Sequence, residues 1–396
     1  MIKNEKKECS VCKGGNIIVA LDLPKFPFTG IYLQSADNPK YRGVDQALQL
    51  CEDCGHAQLK NILDPALVYD NTYTHRSSTS DISRRGNDFF AQYIEKTVAG
   101  WTFKRILEVG CNDFYLLKKI DKLGEQIFGL DPIWKCNPPP QLGEKIKVVG
   151  KFVEELDFEQ DLGGRPDLVL SAHTFEHIEN PRDQLEKIVG IAEANAIIIV
   201  EVPGFDSLLN NCRFDQVFHQ HVQYYSLASF ERLIYEVGGE YIDHAFNYGY
   251  WGGTMMVAFR KNSKKDKTFS GKFQKRTMQV VEEKIKLFTV QMNNSMKLLE
   301  TFKNEPICGY GAAQMLPTVA YHMNSDFSFM KCVYDDNTDR NGLMYPYMPI
   351  VIEKPKENQT LEGVNVLVTA LDSARPIVKR ISQLKAKRVI LPLNVF

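Results

Sequence analysis

Along this chain, short unbroken apolar runs alternate with stretches whose apolar residues recur at helical spacing. That pattern predicts an α/β fold with buried, parallel strands. In FKRILEVGCNDFYLLKKIDKLGEQIFGLDPIW, ILEVG reads as a strand, CND as a turn, and Leu116, Leu117 and Ile120 as one helix face. IFGLD is the next strand and closes on Asp131, 21 residues after Gly110. PDLVLSAHTFEHIENPRDQLEKI then reads as strand, loop and helix, opened by Asp167. Its turn, Ser171 to Thr174, falls at the carboxyl end of the sheet, where open α/β folds bind ligands. ANAIIIVEVPG is a further buried strand ending in Glu201 and Pro203. After the lysine-rich KNSKKDK comes a long amphipathic helix read as an interdomain strut, then a second strand series in EPICGYGAAQ, KCVYDDN, GVNVLVTA and RVILPLN. The pattern divides the chain into units at 1–75, 76–265, 266–303 and 304–396.

Composition narrows the class. A 396-residue chain with 44% hydrophobic residues can fill the cores of two or three domains. Its net charge of -1, with both signs interspersed, gives no basic footprint for nucleic acid. No apolar run approaches the roughly 20 residues of a bilayer span. MIKNEKKECS has no apolar signal region, so a cytoplasmic, membrane-free protein is expected. Nine cysteines, five of them scattered singly, suit a reducing compartment better than a disulfide framework.

The other four cysteines form two CxxC pairs, Cys9 with Cys12 and Cys51 with Cys54. Two such knuckles present four thiolates, which close a tetrahedral shell around a structural zinc ion. The 38 residues from Lys13 to Leu50 exceed ordinary ribbon spacing, so a small β insert is expected between the pairs.

The Gly110–Asp131 unit is a βαβ opening whose acid is placed for ribose hydroxyls. Its loop lacks the later glycines of a dinucleotide fingerprint, and Cys111, Asp113, Phe114 and Tyr115 would crowd a pyrophosphate. An adenosine ligand without phosphates, S-adenosylmethionine, suits it better. GYGAAQ, with Gly309 and Gly311, is a lone GxG, and Asp335 and Asp336 end the next strand. In FDQVFHQHVQYYS, a strand would set His219 and His221 on one face. They are then a base with its helper, a metal pair or core residues. Asp215 is the one nearby candidate for a third metal ligand. His177 of TFEHI is expected to be structural.

The order of these parts resembles the three-domain, zinc-containing sugar C-methyltransferases that act on nucleotide-linked keto-deoxysugars. The motifs carrying the likeness are the two CxxC pairs, EVGCND, GLDP, TFEHI, VEVPG, HQHVQYYS, YGYWGGT, GYGAAQ and YDDN, and they span essentially the whole chain. The resemblance implies a class I S-adenosylmethionine-dependent core, with a zinc domain before it and a second Rossmann-like domain after it. It implies cofactor contacts at Glu108, Gly110, Asn112, Asp131 and His173. It further implies a nucleotide-linked sugar against the C-terminal domain, at Gly309, Gly311 and Asp335, and a monomer. Catalysis is carried in this family by a tyrosine–histidine–glutamate–histidine run, matched here by Phe218, His219, Gln220 and His221. His221 would be the base removing a proton beside the ketone, with His219 and Gln220 in support. Tyr73 would polarise the ketone, and Tyr225 supplies a phenol nearby. Because Phe218 has no phenol and Gln220 cannot take a proton, O- or N-methylation, or a non-catalytic binding protein, stand as the other expectations.

Overall fold

The computed structural model describes residues 2–68, 78, 80–136, 139, 142–262, 269 and 271–393. Its centre is a seven-stranded sheet in the order Gly239–Asn247, Thr254–Lys261, Ile197–Pro203, Leu168–Ala172, Phe103–Val109, Gly124–Leu130 and Ile146–Val149. The last five are mutually parallel. Thr254–Lys261 runs antiparallel between its two neighbours. Strands covered on both faces read as continuous apolar runs, and IIIVEV shows why. Ile198, Val200 and Val202 enter one core with Leu185, Ile188 and Phe230, while Ile197 and Ile199 enter the opposite one with Phe90 and Ile94. From Phe103–Val109 the chain winds one way to Gly124–Leu130 and later the other way to Leu168–Ala172. The ends of these strands therefore open the crevice where such sheets take ligands.

The two CxxC knuckles flank an antiparallel hairpin, Ile17–Phe26 with Val44–Cys51. Ala57–Leu59 adds a third strand, and Gln223–Tyr224, from the segment inserted after Ile197–Pro203, adds the fourth. The cysteine module and the insert thus share one sheet.

The FHQH stretch is not a strand. His221 donates its backbone N–H to the Phe218 carbonyl at 3.1 Å, closing a turn over 218–221. The two imidazoles consequently leave in different directions.

At the other end, five parallel strands lie in the order Ile352–Glu353, Val333–Tyr334, Ile307–Tyr310, Asn365–Val368 and Arg388–Ile390. A helix, Met278–Glu300, connects this sheet to the central one and is shorter than the roughly 270–303 that periodicity predicts within the 266–303 unit. It buries Val281, Phe288, Met292 and Leu299 in a core shared with Phe26, Phe214, Phe218 and Leu316. The strut is therefore part of a continuous interior joining all three units. Both boundaries of the 76–265 unit, near 76 and 265, fall outside the described residues. Among the described residues no helix is long and apolar enough to cross a membrane.

Candidate functional site

Three sets of side chains converge on chemistry: a cofactor-type cradle, a histidine cluster beside it, and a large cavity between the units.

The cradle begins where Phe103–Val109 ends. Gly110 has φ +80, and a Cβ there would stand 2.0 Å from Thr174 Oγ1, so only glycine fits. Asn112 and Phe114 are also left-handed, at φ 44 and 67. Asn112 stands at the second glycine position of the fingerprint and keeps a left-handed backbone without being glycine, while Tyr115, at the third, opens the helix Tyr115–Lys119. Phe114 is held by stacking on Trp134, with centroids 4.8 Å apart. Trp134 Nε1–H donates to the Asn112 carbonyl at 2.8 Å. Asp131, buried at the end of Gly124–Leu130, accepts the Asn112 N–H at 2.9 Å and the Ile133 N–H at 3.0 Å. The two bonds fall on different oxygens, and a carboxylate offers about four acceptor positions, the kind that ribose hydroxyls use. Behind it, Glu108 is buried, and its Oε2 has no hydrogen-bond partner among the described residues. Burial, with Asp131 and Asp113 nearby, pushes the Glu108 carboxyl well above its usual range. A glycine cradle, a ribose-type acid and a buried, unpartnered carboxylate fit a ligand that pairs adenosine with cationic groups. S-Adenosylmethionine carries both an ammonium and a sulfonium. Glu108, Gly110, Asn112 and Asp131 are the residues that would hold it.

His173, at φ 50, ends the adjacent Leu168–Ala172 strand. Its Nδ1–H donates to Glu176 Oε1 at 3.1 Å, and its Nε2 lies 4.0 Å from Glu201 Oε2. Burial lowers the affinity of this imidazole for a proton, but Glu176 and Glu201 outweigh it, and the net shift is upward. Thr254 donates to Glu201 Oε1 at 2.7 Å. Tyr250 packs edge-on against His173 at 5.1 Å.

On the far side of this cluster stands His221. Its ring meets Phe218 at 4.1 Å, His177 at 4.8 Å and Trp251 at 5.9 Å. It lines a small recess with Gly204, Gln216, Tyr224 and Trp251. Burial, reinforced by His177 and His173, holds its pKa well below the ordinary imidazole value. It is therefore neutral at pH 7, the form that accepts a proton.

Trp251 also lines a cavity of about 900 Å³ that runs between the cysteine module, the central unit and the C-terminal sheet. Tyr32, Arg213, Gln220, Gly311, Asp335 and Asp372 stand on its walls. Gly311 has φ +97, and a Cβ there would lie 2.5 Å from Ala370 Cβ, which closes the crevice between Ile307–Tyr310 and Asn365–Val368. Asp335 accepts the Asn337 N–H at 2.8 Å and also caps the Ala312 N–H. Arg213 is fully buried, forms a two-pronged pair with Asp215 at 2.8 and 2.9 Å, and reaches Asp372 at 3.0 Å.

Several expected site residues lie elsewhere. His219 faces the cysteine module, with Nε2 3.2 Å from the Phe26 carbonyl and Nδ1 3.4 Å from Gln46 Nε2. Its ring packs on Phe26 and Phe28, so it anchors the turn rather than orienting His221. Gln220 lines the cavity, yet both ends of its amide are tied. Thr29 Oγ1 donates to Oε1 at 3.0 Å, and Nε2 donates to the Thr29 carbonyl at 3.1 Å. Tyr225 is enclosed in the core with its hydroxyl on the Phe175 carbonyl at 3.2 Å. Gly309 lies within a strand, paired with Val333 and Leu367, rather than in the loop. Tyr73 lies outside the described residues. Conversely, periodicity gave no weight to Glu176, Trp251, Arg213 or Asp372, and His177 had been expected to be structural. The acid of TFEHI, within a motif that already carries the family resemblance, was the one available signal.

The four cysteine sulfurs all lie within 4.8 Å of one another. The Cys9–Cys54 and Cys12–Cys51 separations are 3.6 Å. A disulfide needs about 2.05 Å, whereas tetrahedral zinc with bonds of about 2.3 Å sets its sulfurs about 3.8 Å apart. The donor set fits zinc.

Residues 82–244 match the family model described as a methyltransferase domain. A curated relative, the C-methyltransferase NovU of Streptomyces niveus, is 22% identical over 241 residues, 60% of this chain. The match spans 56%, about half, of that relative's length. Among solved structures, the N-methyltransferase NodS from Bradyrhizobium japonicum with S-adenosyl-L-homocysteine aligns with TM-score 0.37 at 12% identity, over 50% of this chain and 94% of its own. Magnesium protoporphyrin IX methyltransferase from Synechocystis, with S-adenosylmethionine bound, gives 0.34 at 10%, over 45% and 79%. Likenesses this distant decide nothing about the reaction. Sheet order, cradle and domain match agree, however: residues 82–244 are an S-adenosylmethionine-dependent methyltransferase domain.

Proposed function

We propose that the protein is a C-methyltransferase acting on a nucleotide diphosphate-linked 4-keto-deoxysugar, with His221 as its base and a structural zinc ion in its cysteine module. One observation carries this reading. Trp251 touches both His173 of the cofactor cluster and His221, and it also forms the wall of the 900 Å³ cavity that reaches the C-terminal crevice. A substrate with two ends, a nucleotide and a ring, suits a cavity of that volume with walls from all three units. The name of the NovU relative, a C-methyltransferase, supports carbon as the acceptor.

In the proposed reaction His221 takes a proton from the ring carbon beside the ketone. The C–H electron pair becomes part of an enolate, and Tyr73 donates to its oxygen. When bound, S-adenosylmethionine would supply an electrophilic methyl group to that carbon and leave as the neutral thioether. Glu108, Gly110, Asn112 and Asp131 hold the donor. Gly311 and Asp335 receive the nucleotide end, and Gln220, fixed by Thr29, closes the cavity beside the ring.

Phe218 favours a second reading, methylation of an oxygen or nitrogen, because an apolar ring against His221 offers nothing to an enolate oxygen. The test is incubation with S-adenosylmethionine and a panel of nucleotide-linked 4-keto-6-deoxysugars, followed by mass spectrometry. A product carrying one added methyl is expected from at least one member. No product across the panel, with cofactor binding intact, would remove this substrate class.

A further inference from the structure

The acid that the base lacks in its own turn stands opposite it, on the loop of the cofactor cluster. Glu176 is 1% exposed, and its Oε2 has no hydrogen-bond partner among the described residues. Its Oε1 accepts the His173 Nδ1–H at 3.1 Å and lies 3.8 Å from His177 Nε2. His177 meets the Gln220 carbonyl at 2.9 Å through Nδ1. A carbonyl only accepts, so Nδ1 carries the hydrogen, and Nε2 is the acceptor nitrogen of the neutral ring. A lone pair facing a carboxylate is unfavourable, whereas a proton on that nitrogen faces its counter-charge directly. Positive charge nearby favours a carboxylate this deep, and among the described residues the groups facing it that can become positive are His173 and His177. His177 in turn lies edge-on to His221.

We propose that Glu176 is a positioning residue for methyl transfer: it fixes His173 and His177, and it supplies the counter-charge when the His177–His221 pair receives the substrate's proton. The proposal rests on His221 being the base. The proton leaves the substrate carbon for an imidazole nitrogen of the pair, and the carbon's electron pair stays with the enolate. No further reactant is needed. One carboxylate then serves both the cofactor side, through His173, and the proton-accepting side, through His177. The depressed proton affinity of His221 gives such a counter-charge work to do.

The test uses the full chain with Glu176→Gln, Glu176→Asp and His177→Asn. Asparagine keeps a donor for the Gln220 carbonyl, and glutamine keeps the shape of the glutamate, so each can be compared with a folded parent. Without substrate, ring ¹⁵N resonances of labelled histidines should move for His173 and His177 in Glu176→Gln, while those of the remote His56 and His322 stay in place. With the sugar that the panel identifies, kcat should fall about 10- to 100-fold in Glu176→Gln and His177→Asn. KM for cofactor and sugar should change less than about threefold, and Glu176→Asp should recover part of the loss. Unmoved His173 and His177 resonances, or kcat within twofold of the parent in Glu176→Gln, would overturn the proposal. So would a metal ion beyond that of the cysteines that is lost in Glu176→Gln, since Glu176, His177 and His221 would then be its ligands. Failure of the carbon-methylation reading appears instead in the unaltered protein, as a product that keeps its ring C–H.

Discussion

Replacing His221 with alanine is expected to lower turnover by about a thousandfold or more while S-adenosylmethionine binding stays within a few-fold. The separation follows from geometry. Gly110 donates its N–H to the Leu130 carbonyl, and Asp131 accepts the Asn112 and Ile133 N–H groups, so these bonds hold the cradle from its own strand ends. Among the described residues, the His221 ring meets the cofactor cluster through His177 and Trp251. Calorimetry with the cofactor and a turnover assay therefore report on different parts of one molecule. The turn itself is secured by His219 and Gln220, so the alanine variant should fold. A matching pH dependence is expected. Burial, His177 and His173 hold the folded-state pKa of His221 below its usual value. The base is then already neutral throughout the physiological range, and kcat should be lost only as pH falls below about 6.5. Turnover within a few-fold of the parent would contradict the base assignment.

The second large effect is remote. Cys51→Ser should release the metal, unfold the hairpin module and abolish turnover, yet leave the cofactor cradle in place. Structural zinc contributes about 10 to 16 kcal/mol of binding free energy to small folded modules, more than an isolated hairpin of this size can replace. The consequence reaches the site because the module holds the 218–221 turn from behind. Thr29 fixes Gln220, and the Phe26 carbonyl and Gln46 fix His219. His56 bonds Gln223 at 2.9 Å, and Ala57–Gln58 pair with Gln223–Tyr224. Metal content, cofactor affinity and turnover measured on this variant decide the point. Metal loss with turnover retained would show that the turn stands without the module.

How much could be read from the chain alone depended on whether the determinant was local. The strands ILEVG, IFGL, LVLS and IIIVEV were legible because burial on both faces forces apolar runs. The cradle was legible because Gly110 and Asp131 sit at a spacing set by one strand–helix–strand unit. The cysteine cluster was legible because each knuckle is four residues of chain. The FHQH stretch, which fits a strand or a loop, stayed open for the opposite reason. Its alternation is compatible with a strand, but its partners, Phe26, Thr29 and Gln46, lie more than 170 residues away in sequence. They hold it as a turn. Tyr225 and Gly309 have the residue types of a site, but one lies in the core and the other within a strand. Glu176 was passed over because an acid among loop residues reads as solvated until its burial is seen. The helix ran shorter than its periodicity, beginning at Met278 after a stretch that instead caps Glu231 through the Lys272 N–H.

Carbon methylation through an enolate is the central claim, and heavy water tests it most directly. The protein is incubated in D₂O with S-adenosylmethionine and the keto-sugar panel, and mass spectrometry follows methyl gain and deuterium uptake together. The expected result is a product with one added methyl and loss of the ring C–H beside the ketone. Deuterium should also enter that position in recovered substrate, and this exchange should vanish in His221→Ala. A methylated product that keeps its ring C–H, with no deuterium in the substrate, would contradict the account and place the methyl group on oxygen or nitrogen.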